Sequence, residues 1–416
     1  MHSRIQGVEI LELGEKGKEK SSPWSSTILL LKLTSSDGVV GYGEAPTTLM
    51  TLPVKESLRE VERVFKGADF YNIEDNIRSF YRNSFYLSKS MEATSALSAF
   101  EIASWDLIGK SLGAPVHDLI GGVMRDTVRA YANGWYSNCQ DPEEFVGSAK
   151  KAVSKGLTAL KFDPFGPCFD SIDREGLTRA RNIVSAMRSE LGDKVDLLIE
   201  CHGRFSKRAA ISVGRSLQDL DIFFIEEPLH PELEHLLPEF KREVKIPVAL
   251  GERVLSKTEF AKLISKGYVD VIQPDITNFR GILEGQKVAS IADAFGIPVA
   301  YHNAFGPIQT AATLNLDVGI PNFLIQESFE EFWPDWKRNL LKSGYSLSHG
   351  SFSLSGKPGI GVEVNEAVLE EYAIDGMEPF DPSEPPWVVS GTYNSPGSSG
   401  TGSDAGKTDN KGRGMK

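Results

Sequence analysis

Six acidic or imidazole side chains follow six short apolar runs at nearly constant spacing. Ile199 leads into Glu200, Ile225 into Glu226, Leu250 into Gly251 and Glu252, Ile272 into Gln273 and Asp275, Tyr301 into His302, and Ile325 into Gln326 and Glu327. Successive members lie 26, 26, 23, 27 and 25 residues apart. A single acid at a strand end is commonly a helix cap or one half of a loop ion pair. A ladder in register asks for more. Glu200, Glu226 and Glu252, brought together from consecutive units, would repel strongly unless a cation sat among them. Three hard oxygen donors suit Mg²⁺, with Mn²⁺ as a tolerated substitute, whereas zinc would recruit His or Cys. Asp275 and His302, on neighbouring units, fit an imidazole base oriented by a carboxylate. His202, two residues past Glu200, is expected on the same side by strand alternation, with Cys201 turned away into packing. Lys161 could steady a substrate carboxylate or pair with Asp163, and Arg204 could contact a polyol or brace the metal ligands. Glu227 reads as support for the ligands and not as one of them.

Positioning such a ladder takes one strand and one helix per step. The apolar runs 128–132, 158–162, 195–199, 222–225, 246–250, 269–272, 297–301 and 323–325 alternate with helix-like stretches. Short continuous apolar runs are the mark of parallel strands covered on one side and filled on the other. Eight such units over about 220 residues fit a TIM-type barrel, and the ladder then lies on its C-terminal rim. A doubly wound open sheet competes, but no Gly-x-Gly-x-x-Gly follows the first strand. Ahead of the barrel, residues 26–34 and 39–44 read as a hairpin turning at Asp37 and Gly38, and residues 55–120 as helical. Beyond residue 352 the sequence is again turn-rich and strand-like to about Thr392. Residues 394–416 are rich in Gly and Ser, without large apolar side chains, and read as a disordered tail.

Composition bounds the rest. The 416 residues are 40% hydrophobic and 25% charged, as in ordinary globular proteins, and the formal net charge of −12 argues against a nucleic-acid or acidic-membrane surface. No apolar stretch is long enough to span a bilayer, and no signal-peptide pattern opens the chain, so the cytoplasm is the expected location. Three cysteines provide neither a disulfide framework nor a zinc cluster.

Gly41–Ala45, residues 96–122, Ile225–Pro228, Gly251–Arg253, Gln273–Asp275 and Gln326–Glu327 together resemble the enolase superfamily in its mandelate racemase/muconate lactonizing branch, over about residues 5–392. Tyr131–Tyr136, Leu160–Pro167, His202–Phe205, His302–Gly306 and Trp387–Thr392 are similar, within that branch, to D-gluconate dehydratases, with galactonate dehydratases as close relatives. The resemblance implies a modified (β/α)7β barrel at 126–352 with an α+β capping domain at 1–125, completed by 353–392, and the tail at 393–416. It implies Mg²⁺ on Glu200, Glu226 and Glu252, His302 as base with Asp275 as its partner, His202 as acid, and Glu327 holding the intermediate. Lys161, Asp163 and Arg204 are then expected at the substrate. The implied reaction is dehydration of an aldonic acid, most simply D-gluconate to 2-dehydro-3-deoxy-D-gluconate, in a homo-oligomer, commonly an octamer. The competing expectations are a dehydratase or epimerase of another acid sugar, and a barrel that has lost catalysis and serves regulation. Two departures stand out: relatives commonly have Asp where Glu200 stands, and the second lysine of the racemases' Lys-x-Lys is replaced by Asp163. The polar stretch 14–22 and the loop 45–52 are candidates to close over the site.

Overall fold

The computed structural model describes residues 3–15, 27–47 and 51–376. The Trp387–Thr392 segment, the 393–416 tail and parts of both candidate closing segments lie outside the described residues.

The chain begins with three antiparallel strands in the order β1 (Ile5–Gly14), β2 (Thr27–Ser35) and β3 (Val40–Ala45). The expected hairpin is β2–β3, with Gly38 at φ 81° in its turn. β1 was not expected as a strand; its alternation of Val8, Ile10 and Leu11 with Glu9 and Glu12 is weak, and it is fixed by pairing along β2. Helices α1 (Thr51–Phe65), α2 (Ile73–Asn83) and α3 (Met91–Leu112) cover this sheet. α3 starts where Ser90 accepts from the Ala93 N–H and stops at Gly113, whose φ is 68°. It packs against β3 at backbone distance. A Cβ on Gly43 would sit 1.9 Å from the Ala99 carbonyl oxygen, so only glycine fits there. A short helix α4 (Val116–Leu119) leads out of this unit.

The barrel follows as β4 (Val128–Ala132), α5 (Pro142–Ser154), β5 (Ala159–Phe162), α6 (Arg174–Leu191), β6 (Asp196–Glu200), α7 (Lys207–Leu217), β7 (Ile222–Glu226), α8 (Leu237–Glu243), β8 (Val248–Leu250), α9 (Lys257–Ser265), β9 (Val271–Ile272), α10 (Gly281–Asp293), α11 (Pro307–Asp317) and β10 (Gln326–Ser328). Asp141, Asp173 and Ser256 cap α5, α6 and α9 through side-chain acceptors, which is why those helices start where they do. Strands β4 to β9 pair in parallel order, and β10 returns to pair with β4. Between β9 and β10 the wall is the extended run 297–301. Val299 bridges Ile272 on one side and Phe323 on the other, and this closes the cylinder with less regular pairing than the apolar run suggests.

Tyr131, Ala159, Leu198, Phe224, Ala249, Val271, Ala300 and Ile325 fill the interior as a separate core, one residue from each wall segment. Two positions further along each strand points the same way. Those positions are Asn133, Lys161, Glu200, Glu226, Gly251, Gln273, His302 and Glu327. The apolar plug is therefore the floor on which the polar layer stands. After the barrel the chain pairs with β4 at its N-terminal end and then returns to the first sheet, where Leu13 bridges Ala373 and the Tyr42 hydroxyl donates to Glu366.

Candidate active site

Glu200 and Glu226 end their strands directly opposite each other in the parallel ladder. Glu252 lies just past β8, and one carboxylate oxygen from each of the three can be chosen so that all lie within 4.8 Å of one another. Glu200 and Glu226 are almost wholly buried. Burial raises both carboxyls. Glu200 reaches about 7, with Lys161 opposing the shift and Glu252 adding to it, and Glu226 goes well above the usual range as Glu200 repels it. The Lys161 ammonium is shared among Glu226 at 2.8 Å, Glu327 at 2.9 Å and Glu200 at 3.1 Å. Burial alone would lower the lysine, but these carboxylates outweigh it and keep it protonated. One ammonium among so many carboxylates leaves negative charge uncompensated. Oxygen-only donors with that excess suit a hard divalent cation.

On the other side of the layer, His302 Nδ1 is 2.6 Å from Asp275 Oδ2, and its Nε2 lies 3.4 Å from Glu252 and 3.8 Å from Glu327. Burial by itself would push the imidazole down. Glu252, Glu327 and Asp275 outweigh that and hold it up to about 10 in the protein alone. Glu327 goes the other way: burial would raise it, but Lys161, His302, the Asn303 N–H and the Asn133 amide bring it to about 2. It is thus an ionised carboxylate fixed from four directions.

The third group is centred on Asp163, which is 3.0 Å from His202 Nδ1 and also pairs with Arg204. Burial would raise Asp163, but Arg204 and then His202 outweigh it and hold the carboxyl below its usual range. His202 and Arg204 are held differently from what their spacing predicts. β6 ends at Glu200, and His202 sits beyond it in a turn with φ 49°, its N–H donating to Glu200 at 2.6 Å. A turn and an acceptor place the imidazole, not strand alternation. Arg204, expected at the substrate, is fully enclosed and donates to Asp163 and to the Gly166 carbonyl. Asp163 is enclosed with it. Asp163 holds His202, and Arg204 holds Asp163. Lys161 pairs with the ladder carboxylates and not with Asp163.

The residues left out of the sequence reading are amides. Asn133 donates to Glu327 at 2.9 Å and Gln273 donates to Glu226 at 2.6 Å. Their signal was present, since each lies two residues past an inward-facing strand residue. Glu227 pairs with Arg253, which itself lies 3.8 Å from Glu252, and Cys201 is fully buried. Among the described residues no helix is long and apolar enough to cross a membrane.

Comparison with known proteins places this geometry. Residues 144–368 match the enolase C-terminal domain-like family, and residues 21–121 match the mandelate racemase/muconate lactonizing enzyme N-terminal domain. The D-gluconate/D-galactonate dehydratase of Picrophilus torridus is 63% identical over 389 residues, covering 94% of this chain and 99% of that protein. The D-gluconate dehydratase of Thermoproteus tenax is 44% identical over 94% of this chain and 78% of that one. Among solved structures, a mandelate racemase/muconate lactonizing enzyme from Sulfitobacter sp. superposes with a TM-score of 0.83 at 30% identity, covering 90% of this chain and 96% of its own. The chain belongs to the enolase superfamily, in its mandelate racemase/muconate lactonizing enzyme branch.

Proposed function

We propose that this protein is a Mg²⁺-dependent hydro-lyase that dehydrates D-gluconate, and D-galactonate with it, to the 2-dehydro-3-deoxy acid. The observation that carries the reading is the juxtaposition of three clustered carboxylates, Glu200, Glu226 and Glu252, with the Asp275–His302 pair beside them. The names of the relatives from Picrophilus torridus and Thermoproteus tenax supply the substrate class.

Glu200, Glu226 and Glu252 would hold the cation. When bound, it supplies positive charge that stabilises the charge developing on the substrate carboxylate as the C2 proton leaves. Asp275 fixes His302 by accepting from Nδ1–H, and with a cation drawing off the Glu252 charge that holds the second proton on the ring, Nε2 would be the nitrogen left to take the C2 proton. Lys161 adds a fixed cation on the same side of the layer, and Glu327 is the anion that balances it. His202, oriented by Asp163, donates the proton with which the C3 hydroxyl leaves as water. The C2 enol that results tautomerises to the ketone. Each general acid or base transfer of this kind typically contributes about 10²–10⁴-fold. Base and acid follow different wall segments of the barrel and are held by different carboxylates, Asp275 and Asp163, so neither neutralises the other. We place the capping unit at residues 1–125, completed by 353–392, with the barrel at 126–352.

The test is turnover. Purified protein with Mg²⁺ and D-gluconate should accumulate a 2-keto-3-deoxy acid and lose activity in chelator. Absence of product from gluconate, with turnover of a different acid sugar in a panel of aldonates, overturns the substrate assignment.

A further inference from the structure

α11 begins immediately after the loop that carries His302, and its own N-cap residue, Gly306, has no side chain to cap it. The cap comes from the first sheet. Glu44, at the end of β3 and 1% exposed, accepts from the Ile308 N–H at 3.1 Å and the Gln309 N–H at 2.9 Å. A Cβ at Gly306 would lie 2.3 Å from the Glu44 carboxylate, so glycine is what lets the acid reach the helix end. Lys337, equally buried, supplies the opposing charge.

From that clamped first turn, the Gln309 side chain reaches back to the base. Its Oε1 accepts from the Phe305 N–H at 2.9 Å, and its Nε2 donates to Asp275 Oδ1 at 3.0 Å and to the His302 carbonyl at 3.4 Å. Thr277 donates to the same Asp275 oxygen through its N–H at 2.7 Å and its hydroxyl at 2.5 Å. With Oδ1 fully engaged, Oδ2 is left to face His302 Nδ1.

We infer that Glu44 and Gln309 form a positioning relay through which the first sheet sets the orientation of the Asp275–His302 pair. Neither touches the substrate. Gln309 holds both the carboxylate and the backbone of the imidazole it orients, and Glu44 holds Gln309. Outer groups of this kind commonly matter by about 10–100-fold where they orient an inner one.

The inference rests on the reading of His302 as the base, and the experiment separates the two. Gln309→Leu should lower kcat on D-gluconate by about 10–100-fold, with KM within about threefold. It should also raise the primary isotope effect with [2-²H]gluconate, because proton removal becomes more rate-limiting. Glu44→Ala should act in the same direction, and Glu44→Gln should restore much of the loss, since its amide oxygen still accepts from the helix N–H groups. The substrate-independent readout is the low-field proton resonance of His302 Nδ1–H against Asp275. It should be absent in His302→Asn and displaced or broadened in Gln309→Leu. An unchanged resonance in folded Gln309→Leu overturns the relay whatever the turnover. Wild-type protein inert toward gluconate, with that resonance displaced, overturns the substrate assignment and leaves the relay standing. If Gln309→Leu fails to fold, Gln309→Asn, whose shorter amide cannot reach Asp275, carries the same comparison.

Discussion

His302 owes its proton affinity to its neighbours more than to itself. Buried imidazole alone would shed its proton; the carboxylates of Glu252, Glu327 and Asp275 reverse that. With His302 as the base, His302→Asn should abolish exchange of the substrate C2 proton with deuterated solvent, as followed by proton NMR, while the protein stays folded. Continued exchange would mean another base. Asp163 makes a second residue-scale prediction. Its native pKa lies below the unfolded value of about 3.9, so its contribution to stability is fully present above that value. It is lost as pH falls below it toward the depressed native value. Asp163→Asn should cost about 3–5 kcal/mol at neutral pH, because Arg204 is left buried without its charge partner. Denaturant melts from pH 7 to pH 3 should show the gap between variant and wild type narrowing on the acid side.

At the scale of elements, the ladder of strand ends was legible because a parallel strand buried on both faces leaves a run of aliphatic residues that nothing else explains. The same alternation carries the apolar floor and the polar layer above it, so Glu200, Glu226, His302 and Glu327 could be named from spacing. His202 was named for a reason that does not hold, since the strand stops before it and a left-handed turn takes over. Asp163 and Arg204 were seen as substrate contacts because type and position reveal charge but not enclosure. Glu44 falls within the resembling segment Gly41–Ala45, but nothing local pairs it with Gln309. They meet across 265 residues, where the end of β3 that packs on α3 also reaches α11. That packing is testable by itself. Gly43→Ala should destabilise the protein by about 1–3 kcal/mol or more through the clash with the Ala99 carbonyl, read as a lower thermal midpoint. A variant as stable as wild type would show that β3 and α3 do not approach so closely.

At the scale of the whole molecule, the hydrophobic cores of the described residues and the separate plug inside the cylinder support a layer of buried charge that is costly until it is compensated. A cation that binds only the folded protein should raise its thermal stability by mass action, by about 2.7 kcal/mol at a hundredfold excess over Kd. Glu226→Gln should lose both that metal-dependent rise and the activity. Normal activity in this variant would refute the ligand set. The most direct test is a crystal structure with Mn²⁺ and D-gluconate, using the manganese anomalous signal. One ion per chain is expected, about 2.1 Å from one oxygen each of Glu200, Glu226 and Glu252, with the gluconate C2 facing His302 Nε2. Manganese bound elsewhere, or C2 turned away from His302, would contradict it.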